Sequence, residues 1–286
     1  VTPETTGPDS DEERSGPFTS TSLAADLRHL GLPSGATVLV HSSLSKLGYV
    51  VGGAHAVVIA LQDVLGPTGT LVVPTHSSEL SDPRHWAHPP IPEAWWPVVR
   101  QSMPAYDVEL TLSRKMGLVP EVVRHLPRAR RSAHPRVSFC AVGPNAPFII
   151  DGHRLENGFD EHSPLARLYD LAAQVLLLGV GHENNTSLHL AEGRAPAKRP
   201  VITDGAPLMV EGERQWVAYD TLDYDPDDFD EVGAAIARAG LERTGFVGAG
   251  ESRLLDIVPM VDVAQQWFSE HRVWRPGEER AETRAT

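Results

Sequence analysis

Two side chains suited to proton-transfer chemistry, His189 and Glu192, close a segment that reads Val-Leu-Leu-Leu-Gly-Val-Gly-His-Glu-Asn-Asn-Thr-Ser-Leu-His-Leu-Ala-Glu over residues 175–192. Histidine titrates closest to neutral pH, and a carboxylate one helical turn away can orient its ring, as a general base requires. The segment opens as a continuous apolar run, the pattern of a strand buried on both faces. Gly179 and Gly181 break the run, and Asn184, Asn185 and Thr186 are each suited to cap a helix carrying both side chains. A helix beginning just past a buried strand is where α/β proteins place their ligand sites. On these residues alone, a buried histidine satisfied by its neighbours is the competing reading.

Other stretches carry weaker signals. His41-Ser-Ser-Leu-Ser-Lys-Leu-Gly-Tyr-Val-Val-Gly-Gly53 reads as a strand end, a Ser/Gly loop and a helix start. Backbone N–H groups at a helix N-terminus attract anions, and paired glycines allow a phosphate to approach the backbone. The loop is neither a Walker motif nor a dinucleotide fingerprint, so a plain connection is the simpler reading. The acidic stretch 222–229 lacks the regular spacing and turn glycine of a calcium loop. Cys140, within Val137-Ser-Phe-Cys-Ala-Val142, reads as a small core hydrophobe, because no base or positive group adjoins it. His182-Glu183 followed by His189 has a spacing of seven where a zinc protease helix needs four, and His85 and His88 lack an obvious third ligand.

Positioning such residues requires alternating strands and helices. Thr19 to Thr21 can cap a helix ending at Leu30, followed by a strand over 37–41, a loop over 42–53 and a helix over 54–65. A turn at Gly66-Pro-Thr-Gly69 leads to a second strand over 70–74, so strand, helix and strand suggest a βαβ unit. The stretch 75–106, rich in Pro, Trp and His, loses periodicity, which inside a compact domain is usually functional. A helix is expected over 116–126, strands over 136–142 and 173–178, a hairpin around 211–214, and helices over 228–239 and 255–270.

Composition bounds the whole. The 286 residues, 41% hydrophobic and 22% charged, suit a soluble globular chain. Residues 1–17 read as a disordered leader and 276–286 as a disordered tail, around one domain at 18–275 with an irregular insertion at 75–106. A single cysteine fits a reducing cytoplasm, and no apolar run is long enough to cross a bilayer. The net charge of −13 argues against a nucleic-acid partner and suits a cationic small molecule.

Several motifs taken together resemble the aminoglycoside 3-N-acetyltransferase family of antibiotic N-acetyltransferases. They are His41-Ser-Ser-Leu with the Gly52-Gly53 pair, Gly66-Pro-Thr-Gly-Thr-Leu71, Arg131-Ser-Ala-His-Pro135, Ala141-Val-Gly-Pro144, His162-Ser-Pro164, Leu176-Leu-Leu-Gly-Val-Gly181 and Thr186-Ser-Leu-His-Leu-Ala-Glu192. In order, they run from His41 to Glu192, within a resemblance that extends over roughly residues 20 to 270. The resemblance implies an α/β/α sandwich around a central sheet, distinct from the common GNAT acetyltransferase fold. It also implies acetyl-CoA as co-substrate, no metal, and a small-molecule amine acceptor, and it is compatible with a homodimer.

Residue by residue, the resemblance makes His189 the catalytic base, with Glu192 and Asp223 beside it as the groups that orient it. It places the coenzyme on His41, Ser42, Ser43, Leu44, Ser45, Val51, Gly52 and Gly53. Ser113, Arg114, Lys115, Met116, Gly117, Arg131 and Ser132 help to hold it. Asp107, His162 and Asp225 fall on the acceptor side. The Trp-rich insertion resembles a branch with a member that acetylates an aminoalkylphosphonate nucleotide in antibiotic biosynthesis; there Arg194, Lys198 and Arg199 would meet phosphonate oxygens. A zinc-dependent amidohydrolase and a non-catalytic coenzyme A-binding relative are the alternatives.

Overall fold

The apolar runs lie side by side in one sheet because each has two faces to bury. A computed structural model of the protein describes residues 16–87, 89–196 and 200–272. The expected tail, most of the expected leader, and His88, Lys198 and Arg199 lie outside them. Helix α1 (Ser20–Leu30) starts on Thr19, whose side chain accepts the Ser22 N–H, and ends at Gly31 in the left-handed region (φ 97°). Strand β1 (Thr37–Ser42), helix α2 (Gly53–Leu65) and strand β2 (Thr70–Pro74) follow. β1 and β2 pair in parallel, Thr37 opposite Thr70, as the βαβ reading required.

Next come α3 (Trp96–Ser102), α4 (Leu118–Arg124), β3 (Arg130–Arg131), β4 (Phe139–Val142), α5 (Ala146–Ile150), α6 (Pro164–Asp170), β5 (Gln174–Leu178) and α7 (Leu188–Arg194). The chain continues through β6 (Val201–Val210), β7 (Glu213–Leu222), α8 (Phe229–Arg238), β8 (Glu242–Val247), β9 (Gly250–Asp256) and α9 (Ile257–His271). Seven strands form a mixed sheet in the order β3-β4-β2-β1-β5-β9-β8, parallel at its centre, while β6 and β7 form a separate ribbon.

The alternation along each central strand decides the layers. Val38 and Val40 of β1, with Leu176 and Leu178 of β5, pack against α1, α2 and α4 through Leu27, Leu61 and Val123. Leu39, Val175 and Leu177 point the other way, into Ile149, Leu168, Ala191, Ile236 and Phe268 of α5 to α9. The result is the expected α/β/α sandwich. Cys140 is buried in the first layer, and burial pushes its thiol up to about 12.

Several expectations need correction. β8 and β9 were not expected, because their outer positions are polar and only Val247, Gly250, Ser252, Leu254 and Leu255 are buried. Leu255 therefore belongs to a strand, and α9 begins at Ile257. α4 begins at Leu118, not Met116, since Lys115 and Gly117 both take positive φ. The helix after β5 begins at Leu188 with Ser187 as its cap residue, so none of Asn184, Asn185 and Thr186 caps it. The hairpin is longer than expected, ten residues against ten, and turns at Glu211 and Gly212 (φ 50° and 84°), the type I′ pattern.

The stretch 75–106 is docked on that ribbon rather than loose. Asp204 of β6, buried, accepts from Asp82 N at 2.7 Å and pairs with Arg136 at 2.8 Å. Asp82 binds Arg100 of α3, and Tyr106 N donates to Pro207 O.

A glycine joins α8 to the turn before α7. A Cβ on Gly233 would stand 2.6 Å from the His182 ring, whose Nε2 is 2.6 Å from Glu242. In an open helix Gly233→Ala would gain about 1 kcal/mol. Here overpacking should outweigh that gain, for a net loss of about 1–2 kcal/mol. A lowered urea midpoint is expected; a raised one would show that His182 yields freely.

Candidate active site

The order of the central strands makes a crevice at their carboxyl ends. β2 and β5 lie on opposite sides of β1, so the connections leaving β1 and β5 diverge there. Ser43 N donates to Leu178 O, which ties the two strand ends together. Gly179, at φ 68°, is needed at this junction: a Cβ there would meet Lys46 Cβ at 3.0 Å and Ser43 O at 3.3 Å.

A cleft of about 740 Å³ opens at this junction. Ser42, Ser43, Leu44, Ser45 and Gly53 line one side, and Lys115, Met116 and Gly117, brought from the loop before α4, line another. Lys46, Gly48, Tyr49 and Val50 of the same loop add to it with Leu118, and Gly179, Val180, Glu183 and Asn184, not assigned to it from the sequence, complete it. The signal for them was present in the break of the apolar run at Gly179 and Gly181. Two lysines, three serines and the first turn of α2, which no side chain caps, give the cleft the chemistry of an anion site. Tyr49, 75% exposed, stands at its mouth.

Other residues expected there are not among those that line it. His41 is buried, and Val51, Gly52 and Arg114 are absent from the cleft lining. Ser113 donates its N–H and hydroxyl to Glu121. Arg131 is spent on Thr75, Ser77, Ser138 and the Thr111 carbonyl, and Ser132 bonds Phe139 N and His153, so both hold the β3–β4 edge together.

The histidine–carboxylate pair is assembled on the other side of the β5 end. His189 Nδ1 lies 2.8 Å from Glu192 Oε2, with the imidazole side chain 13% exposed and the carboxylate 1% exposed. Phe159 stacks on the imidazole at 4.6 Å, and Tyr224 and Phe229 pack against it at 5.3 and 4.8 Å. Three aromatic rings thus fix its plane. Nε2 has no partner among the described residues. With Nδ1–H donated to the carboxylate, Nε2 carries the lone pair, which is the geometry of a general base. The second oxygen of Glu192 accepts from Asp225 N at 3.0 Å and from Arg272 at 2.6 Å.

The remaining expected carboxylates divide. Among the described residues, the one bonded to His189 is Glu192, while Asp223 lines a cavity of about 50 Å³ with Phe159, Tyr219 and Tyr224. The Asp225 side chain accepts from Asp227 N. Asp107 accepts from Leu110 N and Glu109 N, which hold its carboxyl below the usual range, so it shapes an exposed turn. His162 N bonds Asp160 beside α6. Arg194 is committed to Glu161 at 2.6 Å and lies over Tyr169, which removes it from the expected phosphonate contact. His182, central to the zinc reading, pairs with Glu242, and among the described residues no three potential ligands group as a metal site.

A sequence profile of the family described as aminoglycoside 3-N-acetyltransferase matches residues 39–269. The chain is 45% identical over 258 residues to the SPbeta prophage-derived aminoglycoside N(3')-acetyltransferase-like protein YokD of Bacillus subtilis, covering 90% of this chain and 94% of that protein. It is 37% identical to aminoglycoside N(3)-acetyltransferase VII of Streptomyces paromomycinus, over 89% of this chain and 93% of the relative. The crystal structure of YokD superposes with a TM-score of 0.88 at 44% identity, covering 91% and 96% of the two chains. AAC-IIIb in binary complex with CoASH gives 0.79 at 29% identity, over 91% and 99%. AAC-VIa bound to sisomicin gives 0.81 at 29% identity, over 91% and 100%.

Around the site, buried histidines are held neutral. His41 is lowered to about 3 by burial and by the nearby charges of His182 and His189. His134 is lowered well below its ordinary value by burial and by His153, and its Nδ1 accepts from Arg136 N and Val137 N. In both, the folded pKa lies below the unfolded value of about 6.5. The unfolded chain therefore gains protons first, and stability present above pH 6.5 is lost progressively as pH falls toward 3. Urea midpoints should fall steadily from pH 7 to pH 4.5, and less steeply in His134→Gln. A flat profile would mean that these rings are protonated in the fold.

Proposed function

The chain belongs to the aminoglycoside 3-N-acetyltransferase family, and from that premise we propose that it acetylates an amine of an aminoglycoside, with acetyl-CoA as donor and His189 as base. The observation that carries the reading is the oriented imidazole, Nδ1 on Glu192 at 2.8 Å and Nε2 open. The coenzyme is assigned to the 740 Å³ cleft. There Lys46, Lys115 and the uncapped start of α2 suit its phosphates, and Tyr49 offers a flat face to its adenine. The solved complex of AAC-IIIb with CoASH supports this donor.

The reaction runs in a ternary complex. The acceptor nitrogen attacks the thioester carbonyl carbon and forms the C–N bond, while its proton passes to His189 Nε2. The tetrahedral intermediate then breaks its C–S bond, and the thiolate leaves with a proton returned by His189, giving the amide and coenzyme A. General-base catalysis contributes about 10²–10⁴-fold. Holding both reactants in place contributes up to about 7–11 kcal/mol.

The acceptor is assigned on charge and kinship. The chain carries −13, Asp223 lines the wall beside Phe159 and Tyr224, and AAC-VIa is solved with sisomicin bound. Carboxylates meeting ammonium groups make charge-assisted hydrogen bonds. The cytoplasm, where acetyl-CoA is available, is the proposed place of action, in keeping with an unpaired, buried Cys140. Among the described residues no helix is long and apolar enough to cross a membrane.

His189→Ala should retain coenzyme A binding yet lose about 10²–10⁴-fold in turnover with a 2-deoxystreptamine aminoglycoside. Near wild-type turnover would overturn the assignment of the base. Acetylation of an aminoalkylphosphonate nucleotide in preference to the aminoglycoside would overturn the acceptor alone. A stoichiometric zinc in purified protein would favour the amidohydrolase reading, and absence of thiol release across a panel of amines the non-catalytic one.

The cleft has its own test. Gly53 lines it at φ 58°, and a Cβ there meets nothing within 4 Å. Gly53→Val should fold with a backbone cost of about 1–2 kcal/mol and weaken coenzyme A binding at least tenfold by calorimetry. Unchanged affinity would remove this loop from the donor site.

A further inference from the structure

The acidic stretch 222–229 and the end of α9 meet behind the catalytic pair, at a residue just past the matched segment 39–269. Arg272 Nη1 lies 2.6 Å from Glu192 Oε1. Its Nε lies 2.6 Å from Asp228 Oδ2, its Nη2 bonds both Asp228 Oδ1 and, at 2.7 Å, Asp225 O, and its guanidinium stacks over Phe268 at 4.1 Å. Four anchors therefore fix one side chain against an oxygen of Glu192, whose other oxygen holds His189.

We propose that Arg272 is a positioning residue for the reaction: it holds Glu192 as an anion facing His189 and keeps the proton balance of the pair in favour of a neutral imidazole. The inference rests on the reading of His189 as the base. A carboxylate as deeply buried as Glu192 needs compensating positive charge. Arg272 supplies it permanently, since guanidinium does not lose its proton in proteins. Without it, more of that compensation falls to a proton on Nε2 of His189, which consumes the lone pair that must accept the acceptor's proton. Asp228 acts in the opposite sense, because it shares the guanidinium with Glu192.

Among the described residues, few groups face the pair from the surrounding elements. Tyr224 and the Asp225 and Asp228 carboxylates come from the loop before α8, and Asp160 lies close to Tyr224. His41 at the end of β1 and His76 after β2 are within electrostatic range, both lowered chiefly by burial and so neutral near pH 7. Among the described residues Arg272 is a strong cation in direct contact with Glu192, and burial, which alone would lower it, is outweighed by Asp228 and Glu192.

The test is the pH profile of kcat/KM with one acceptor, whose own titration is common to all enzymes compared. In Arg272→Gln the acid limb should move up by about one pH unit, so that activity falls at least tenfold at pH 6.5 and much less at pH 9. Arg272→Lys should recover most of that shift. Asp228→Asn, which leaves the guanidinium to Glu192, should move the limb the other way. A purely structural role predicts equal loss at every pH, and unmoved limbs in folded Arg272→Gln and Asp228→Asn would overturn the proposal. Where Arg272→Gln does not fold, the direction of the Asp228→Asn shift decides. His189→Ala is the control for the underlying reading: if it stays active, the base itself is misassigned, whatever Arg272 does.

Discussion

The buried carboxylate of Glu192 is the point on which the site depends. An ion taken out of water costs several kcal/mol unless its oxygens are met by donors in good geometry. Here one oxygen meets His189, and the other meets Asp225 N and Arg272. These donors come from α7, from the loop before α8 and from the end of α9. The carboxylate thus links three segments, so the packing of α7 and α8 on α9 and the orientation of the imidazole depend on one another. The phenylalanines and Tyr224 pack around the ring and leave it 13% exposed.

A second constraint brings the exits of β1 and β5 together. Adjacent parallel strands end at the same edge of a sheet, and β1 and β5 are adjacent, with Ser42 opposite Leu178. The loop leaving β1 forms the cleft, and the turn leaving β5 leads to His189. Gly179 permits the close approach of these two exits.

The ribbon and the proline-rich stretch answer to a different buried carboxylate. Asp204 gathers Asp82 N, Arg136 and its own neighbour Gly205 N. The Trp-rich segment is thereby tied to the β6–β7 ribbon and to the lead into β4. Its indoles are held by this docking: Trp86 donates to Ser81 at 3.0 Å, and Arg100 lies over Trp96. That arrangement makes the segment a fixed wall whose local sequence shows no regular period.

The central strands were legible because runs such as Val-Leu-Leu-Leu state their own burial, and α2 because its apolar positions recur at helical spacing. His189 and Glu192 were legible for the same reason, since three residues on a helix is a local distance. The Ser42–Gly53 loop showed only serines and glycines at a helix start, for which a plain connection was the simpler reading until the family resemblance was added. β8 and β9 were not legible, because strands with polar outer positions carry no continuous apolar signal. Nor was the partnership of Glu192 with Arg272, eighty residues apart, while the sharing of one cleft by Lys115 and Ser43 was implied by the family resemblance and by neither stretch alone. Sequence alone determined which residues can bind an anion or move a proton, because propensity and periodicity act over a few residues. Which of them meet was decided by the tertiary structure, because a hydrogen bond to a buried charge depends on positions that only the packed helices and the sheet supply.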